Sequence, residues 1–533
     1  MIVPGRRDVA HAAEAYRRGL WVRTTLAESL RTAAEISPQR TVLVDNGTRM
    51  DCATLYTQAA ELATALLAHL PAGSVVSFML PNWHEAAVIY LGATLAGMVV
   101  NPILPSLRDH DLRFILDDVG AAMIFVPQRF GGTDYAAMLE RVTAAMGSVP
   151  ETVVVRGEAG PHTPYRTLLG TPPRVAKLPA LDPDAVRMIL YTAGTTGRPK
   201  GVLHSQNSIH ALICQIRDHW NVNPGDTFLV PSPIAHIGGS IYAFECPVLL
   251  GATAVLMDRW DPSVAVALMD HERCTHMAGA TPFLRQLLSA AESAGTRLPH
   301  LKVFICGGAA VPPSLIRRAA QYFDQAVITR VYGCTEVPVT TIGAPRRDEI
   351  DSAADTDGRL GIAEVKLVAH QAAPPGHGEI CVRGPQMLLG YLHPEDETGC
   401  FDDAGFFRTG DLGRWVEDEY LVVTGRAKDV IIRNGENISA KEVEDLLAED
   451  PGVAEIAVVG LPDDRTGERV CAVIVPAGAA RPDVASLLAL LQSKGVAKFK
   501  APEQVVVWDT LPKNDAGKIL KHQIRAVLTK VDG

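Results

Sequence analysis

A chain of 533 residues, 47% hydrophobic and 21% charged, is long enough for several cores and has the composition of a folded protein, which excludes wholesale disorder. Its 50 basic and 60 acidic residues leave a net charge of −10, so the overall basic footprint of a nucleic-acid binder is missing. A polyanion would have to bind in a local basic pocket. At about 150 residues per domain the length predicts roughly three to four domains.

The nine cysteines are scattered, odd in number and never spaced as C-x-x-C. They read as reduced, mostly buried small hydrophobes, which predicts a cytoplasmic protein. Residues 1–23 hold several arginines and no apolar stretch, so a cleaved signal peptide is not expected. The longest apolar run, 86–100, contains Gly92 and Gly97. It falls short of the ~18–20 residues of a spanning helix and is expected to be a buried helix and strand. A peripheral membrane contact stays open.

In chain order, an amphipathic helix is expected over 62–70, a strand over 74–80, a helix over 84–98 and a strand over 99–104. Another helix and strand follow at 112–118 and 121–126, with further strands at 252–257 and 301–306. This alternation predicts an α/β protein with parallel sheets and crossover helices. No fixed-period repeat argues for a solenoid. Past residue 355 the texture changes: short strands at 364–368, 378–383 and 420–423 between Gly-rich turns predict a β-rich subdomain over about 355–427. Strands at 430–432, 456–460 and 470–475, with helices at 440–448 and 484–491, predict a compact α+β domain over 428–533. The join TGRAKD (424–429) holds no long linker, so movement of 428–533 against 1–427 would pivot on a short hinge.

The most informative stretch is LYTAGTTGRPKGV (190–202). An apolar strand runs into Thr192, Gly194, Thr195, Thr196, Gly197 and Lys200. Small residues let backbone N–H groups crowd around an anion, hydroxyls add donors, and the lysine adds a compact positive charge. That is chemistry for polyphosphate, although a Gly/Thr-rich stretch can also be a plain surface turn. It is not a Walker A loop, because Gly201 follows the lysine where Ser or Thr would stand.

YTAGTTGRPKG resembles the phosphate loop of the adenylate-forming superfamily: acyl-CoA synthetases, peptide-synthetase adenylation domains and luciferases. The family usually has Ser where this chain has Ala193, so one hydroxyl donor is missing. Further matches follow in the family's order over about 40–521: PIAHIGG (233–239), CGGAAVP (306–312), VYGCTE (331–336), RTGDLG (408–413), TGRAKDVIIRNGENIS (424–439) and LPKNDAGKILK (511–521). The resemblance implies a large N-terminal domain of two parallel-type sheets plus a distorted β-barrel, and a small mobile C-terminal lid. It implies an ATP-dependent acid–thiol ligase: a carboxylate attacks the α-phosphate of ATP, giving acyl-AMP and pyrophosphate, and coenzyme A then takes the acyl group. ATP, Mg2+ and coenzyme A are the implied cofactor and co-substrates.

Residue by residue, Thr335 resembles the hydroxyl on the α-phosphate and Glu336 the carboxylate on Mg2+, a hard cation that prefers such oxygens. Tyr332 and Gly333 lie where the family stacks adenine, and Gly307, Gly308 and Ala309 resemble the backbone wall of the adenine and acyl pocket. Asp411 resembles the ribose acceptor; an ionised carboxylate is acceptor-only and suits a vicinal diol. Arg426 resembles the nucleotide-contacting arginine. An isolated lysine is ordinarily a solvated surface cation, but the frame L-P-x-x-x-x-G-K makes Lys518 resemble the catalytic lysine of the first step. Lys521 stands where the family often has Arg. Lys428 falls at the hinge position, and Gly435 resembles the glycine of the pantetheine channel. His236 resembles the gate of the acyl pocket, beside Ile237, Gly238 and Gly239.

Amino-acid-activating relatives carry an Asp near His236 to pair with the substrate ammonium. This chain has no Asp or Glu between 231 and 242, and a buried ammonium without a partner would be costly. The small and apolar residues there suit an alkyl, alicyclic or aryl acid. The segment VVNPILPSLRDHDL (99–112) resembles medium-chain and cyclohexanecarboxylate-type ligases more than the long-chain group. Alternatives are a former of acyl-adenylate that loads a carrier protein, a luciferase-like oxygenase, and a catalytically silent binding module; Lys200, Glu336, Asp411 and Lys518 together argue against the last. A homodimer stays open.

Overall fold

The computed structural model describes residues 9–169, 178–192, 198–308, 311–434, 436–463, 465–478, 481–514 and 517–531. Two sheets built mainly of parallel strands make up most of the large N-terminal part. One has seven strands in the spatial order Val327–Arg330, Val303–Cys306, His276–Gly279, Thr227–Val230, Thr253–Leu256, Thr41–Asp45, Thr48–Asp51, and only the last pair is antiparallel. The other has eight strands, ordered Gly390–Tyr391, Lys200–Ser205, Val186–Thr192, Val99–Pro102, Val75–Phe78, Ala121–Val126, Glu151–Val154, Thr163–Pro164. Central strands such as Val75–Phe78 and Thr227–Val230 are buried on both faces, which is why they read as continuous apolar runs rather than alternating ones.

The main core lies between these sheets, around the helices Cys52–His69 and His84–Leu95. Every residue from Ala86 to Leu95 is buried, so this helix has no polar face, as the apolar run predicts for a core element. The helix Leu26–Ile36 starts at a capping box: Glu28 N–H donates to Thr25 Oγ1 at 3.2 Å, and Thr25 N–H to Glu28 Oε2 at 2.7 Å.

A six-stranded antiparallel sheet follows, ordered Thr341–Gly343, Arg359–Leu360, Tyr420–Arg426, Phe407–Val416, Gly378–Arg383, Glu364–Val368. A single turn, Ala427–Asp429, then leads to the smaller C-terminal sheet. That sheet pairs Glu436–Ser439, Val430–Arg433, Gly467–Pro476 and Val453–Asp463, with Gln504–Val507 parallel to Gly467–Pro476. The α/β class, the parallel sheets and the smaller C-terminal part are as the sequence predicts. No helix among the described residues is long and apolar enough to cross a membrane.

Two charge clusters stand out, the first buried in the core and the second only partly buried. Arg187 Nη2 lies 2.6 Å from Glu245 Oε1, and the Tyr90 hydroxyl donates to the same oxygen at 2.5 Å while accepting from Arg187 Nη1 at 2.9 Å. Burial opposes the Arg187 charge, yet the Glu245 carboxylate holds its pKa above the ordinary value. The second cluster gathers Asp45, His84 and Glu85, whose ligand atoms lie within 4.8 Å of one another. Arg156 already supplies the cation there, 2.8 Å from Asp45 and 2.6 Å from Glu85, so this cluster is an ion-pair hub rather than a metal site.

Candidate active site

Four neighbouring strands of the seven-stranded sheet run parallel and end at one edge. Each delivers one site segment: Thr227–Val230 leads into 231–239, His276–Gly279 into 280–283, Val303–Cys306 into Gly307 and Gly308, and Val327–Arg330 into 331–336. The carboxyl edge of adjacent parallel strands is where α/β sheets leave a binding crevice.

Glycine is required at two points of this edge. An added Cβ would stand 2.1 Å from the Pro233 oxygen at Gly239, and 2.5 Å from the Val339 nitrogen at Gly333. Gly307 would meet Val331 at 3.0 Å, whereas Gly238 and Gly308 face open space. His236 precedes the short helix Ile237–Ser240, which continues through a π turn at Ile241–Glu245. Its Nε2 is buried with no hydrogen-bond partner among the described residues, and burial pushes its pKa down, so the ring is neutral. Ile237, Gly238 and Gly239 thus stand beside a neutral imidazole with a free ring nitrogen.

On the phosphate side, Thr192 and Lys200 face each other across the hairpin of Val186–Thr192 and Lys200–Ser205. Lys200 Nζ lies 3.1 Å from the Asp396 carbonyl oxygen and 3.9 Å from Asp396 Oδ1, and Arg198 pairs with Asp396 Oδ2 at 2.8 Å. Ala193, Gly194, Thr195, Thr196 and Gly197 lie outside the described residues, as do Ala309 and Gly435.

The strand Lys200–Ser205 also supports Thr335. His204 Nε2 lies 2.8 Å from the Thr335 carbonyl oxygen, and burial pushes the His204 pKa down to about 4. The ring is therefore neutral and donates from Nε2, with Nδ1 3.0 Å from the Ser208 hydroxyl oxygen. Next along the chain, Glu336 accepts a hydrogen bond from the Tyr391 hydroxyl at 3.0 Å. No cation is ion-paired with Glu336 among the described residues. A half-buried carboxylate lacking a cation, next to a threonine hydroxyl, is a hard-oxygen donor set that fits a small divalent ion.

Asp411 and Arg426 are directly opposite in the antiparallel sheet. Arg426 Nε lies 2.9 Å from Asp411 Oδ1, and the Tyr332 hydroxyl donates to Asp411 Oδ2 at 2.8 Å. Each carboxylate oxygen keeps a lone pair, so a vicinal diol can still bind. Burial, then Asp411, raises the Tyr332 pKa, keeping the phenol neutral as a donor.

The C-terminal sheet brings in the last component. Asn437 Nδ2 donates to the Gln371 oxygen at 2.8 Å, Ser439 Oγ to the Thr424 oxygen at 2.5 Å, and Arg285 Nη1 to the Ala454 oxygen at 3.2 Å. The turn holding Lys518 lies against the first-sheet edge: an added Cβ at Gly517 would be 3.6 Å from Pro282 Cγ. Lys518 N–H donates to Asn514 Oδ1 at 2.8 Å. Burial, followed by the Arg426 guanidinium, pushes the Lys518 pKa down to about 8; Lys428 acts in the same direction, and Asp411 and Asp429 act against it. A cation disfavoured chiefly by burial, with no carboxylate in ion-pair contact among the described residues, would be stabilised by an arriving anion. Lys428 lies in the single turn between the six-stranded antiparallel sheet and the C-terminal sheet; burial and Arg426 push its pKa down. Lys521 points the other way, 2.8 Å from Glu444 inside the C-terminal part.

Hydrogen bonds and ion pairing thus join Tyr332, Asp411 and Arg426, Thr335 and Glu336 follow Tyr332 in the chain, and the charges of Arg426 and Asp411 act on Lys518. Sequence reading missed His204, Tyr391 and Asp396. A lone histidine in an apolar strand reads as structural, and the partners of the other two are distant in the chain.

The sequence profile of the AMP-binding enzyme family matches residues 30–392. The chain belongs to this family. The profile of the AMP-binding enzyme C-terminal domain matches 442–518, a span that ends at Lys518. This AMP-binding enzyme is 34% identical to the medium-chain fatty-acid–CoA ligase of Escherichia coli K12 over 96% of its own length and 92% of the relative's. It is 32% identical to a salicyl-AMP ligase / salicyl-S-ArCP synthetase of Mycobacterium tuberculosis, over 97% and 93%. Among solved structures, ATP-bound MatB from Rhodopseudomonas palustris superposes with a TM-score of 0.84 at 27% identity, covering 96% of this chain and all of that one. Family membership carries ATP-dependent acyl adenylation with it.

Proposed function

We propose that this AMP-binding enzyme joins a medium-chain fatty, alicyclic or aryl carboxylic acid to coenzyme A by way of acyl-AMP, with Mg2+ held at Glu336. The observation that carries the first half is the placement of Lys518, a partly buried cation with no ion-pair partner among the described residues, on which the charges of Arg426 and Asp411 act. Two anions, a carboxylate and the α-phosphate, must approach each other, and charge builds up between them in the transition state. A fixed cation at that point stabilises the transition state more than the ground state. Lys200 and the glycine–threonine loop take the β- and γ-phosphates, Thr335 the α-phosphate, Asp411 the ribose diol and Tyr332 the adenine. The metal, when bound, neutralises phosphate charge. Exclusion of water from the mixed anhydride is supported by the contacts of the C-terminal part with the larger one, including Gly517 against Pro282.

For the second half, rotation of 428–533 about Lys428 would withdraw Lys518 and present Gly435 to the pantetheine arm. One crevice would then serve two reactions in turn. Support for coenzyme A as acceptor comes from the likeness to the Escherichia coli ligase over nearly its whole length. Support for an apolar acid comes from Gly238 facing open space and from the lack of any carboxylate between 231 and 242. A second reading, delivery to a carrier protein, is favoured by the likeness to the salicyl-S-ArCP synthetase.

Mass spectrometry of products from ATP, Mg2+, coenzyme A and a panel of C4–C18 fatty, cyclohexane-type, benzoate-type and amino acids tests the proposal. Acyl-CoA and AMP from an aliphatic or ring acid are expected. Acyl-adenylate accumulating without thioester would move the acceptor to a carrier protein, and turnover restricted to amino acids would overturn the reading of the pocket.

A further inference from the structure

Tyr391 stands between the two charged groups that the proposed chemistry assigns to the triphosphate and its metal. Its hydroxyl lies 3.0 Å from Glu336 Oε1, and Lys200 Nζ lies 5.0 Å from its ring centroid. The residue is 5% exposed and belongs to the two-residue strand Gly390–Tyr391. That strand pairs with Lys200–Ser205, with Tyr391 opposite Val202 and Gly390 opposite Leu203. The Tyr391 N–H is held by Glu397 Oε1 at 3.2 Å, and the Glu336 carbonyl accepts from Leu388 N–H at 2.7 Å. Backbone and side chain are therefore both fixed before any ligand arrives.

We propose that Tyr391 is a positioning residue of the metal–triphosphate site, orienting the Glu336 carboxylate through its hydroxyl and the Lys200 ammonium through its ring. The proposal rests on Glu336 being the metal carboxylate. A carboxylate that accepts one hydrogen bond on Oε1 is restrained in rotation and offers its remaining lone pairs in a fixed direction. Outer partners of this kind typically govern metal affinity or activity by about 10- to 100-fold. The aromatic face does the complementary work for Lys200: it attracts the ammonium without neutralising it, as a second carboxylate would. Metal carboxylate and phosphate lysine are thus held in register by one side chain. Burial, then Glu336, raises the phenol pKa, so the hydroxyl remains a donor at all ordinary pH values.

The test is calorimetry of Mg2+ binding to the full chain in the presence of α,β-methylene-ATP. Three proteins are compared: wild type, Tyr391→Phe and Glu336→Gln. Tyr391→Phe keeps the ring over Lys200 and the packing with Val202 and Phe407. It is expected to weaken Mg2+ binding about tenfold, with binding of the metal-free analogue in EDTA and thioester formation from supplied acyl-adenylate both unchanged. Tyr391→Leu is expected to weaken metal-free analogue binding as well, because Lys200 loses its ring. Wild-type Mg2+ affinity in Tyr391→Phe alongside a loss in Glu336→Gln would overturn the role of Tyr391. Wild-type affinity in both would remove Glu336 as the metal carboxylate, and the role of Tyr391 with it.

Discussion

Lys518→Ala is expected to slow acyl-adenylate formation about 10²- to 10³-fold, the usual effect of deleting one preorganised group that stabilises transition-state charge. Thioester formation from supplied acyl-adenylate should stay near the wild-type rate, because the role proposed for Lys518 is confined to the first half-reaction. The two rates are measured separately, by acid-dependent ATP–pyrophosphate exchange and by thioester release. Loss of both alike would contradict the role. The same lysine sets a pH dependence with a definite sign. Its pKa is pushed down to about 8, and the protonated form is the active one. Adenylation kcat/KM should therefore fall as the pH rises through that value, and this limb should vanish in Lys518→Ala. Once ATP is bound its negative charge raises the lysine pKa, so the corresponding limb in kcat lies at higher pH. A limb that persists unchanged in Lys518→Ala would belong to another group.

The largest expected effect on stability is at Glu245, 1% exposed beside Arg187 and Tyr90. Glu245→Ala leaves the Arg187 charge buried without its counter-ion, which costs about 3–5 kcal/mol. Replacing the whole cluster with apolar residues of similar size, as Arg187→Met/Glu245→Met/Tyr90→Phe, should recover most of that loss, since no buried charge is then left over. Urea-induced unfolding of the N-terminal part, followed by tryptophan fluorescence, reads both. A single variant as stable as wild type would show that the pair carries little. The cluster also ties the strand that enters the phosphate loop, Val186–Thr192, to the helical segment behind His236, so the single variant should unfold both regions together.

How much of this was legible in the sequence depended on distance along the chain. Strands such as Glu364–Val368 and Gly378–Arg383 fall where their turn residues place them, and the core helix follows from an unbroken apolar run. Short edge elements escape: Thr341–Gly343 and Gly390–Tyr391 hold too few residues for any periodicity, although the second carries Tyr391. The strand Gln504–Val507 owes its place to pairing with Gly467–Pro476, a tertiary fact. Thr335, Glu336, Asp411 and Lys518 are singled out in the sequence because they stand in ordered motifs. The bonds from His204 to Thr335 and from Tyr391 to Glu336 cross 131 and 55 residues, and nothing local signals either partner. The π turn at Ile241–Glu245 is likewise invisible to a helical pattern, since it inserts its extra residue inside a continuous helix.

In the proposed reaction the acid is activated by attack of its own carboxylate oxygen on the α-phosphate. The most direct measurement supplies the acid labelled with oxygen-18 in both carboxylate positions, together with ATP, Mg2+ and coenzyme A, and analyses the nucleotide by mass spectrometry. One labelled oxygen in AMP, with the other retained in the thioester, is the predicted result. Unlabelled AMP, or label released in inorganic phosphate beside ADP, would contradict it.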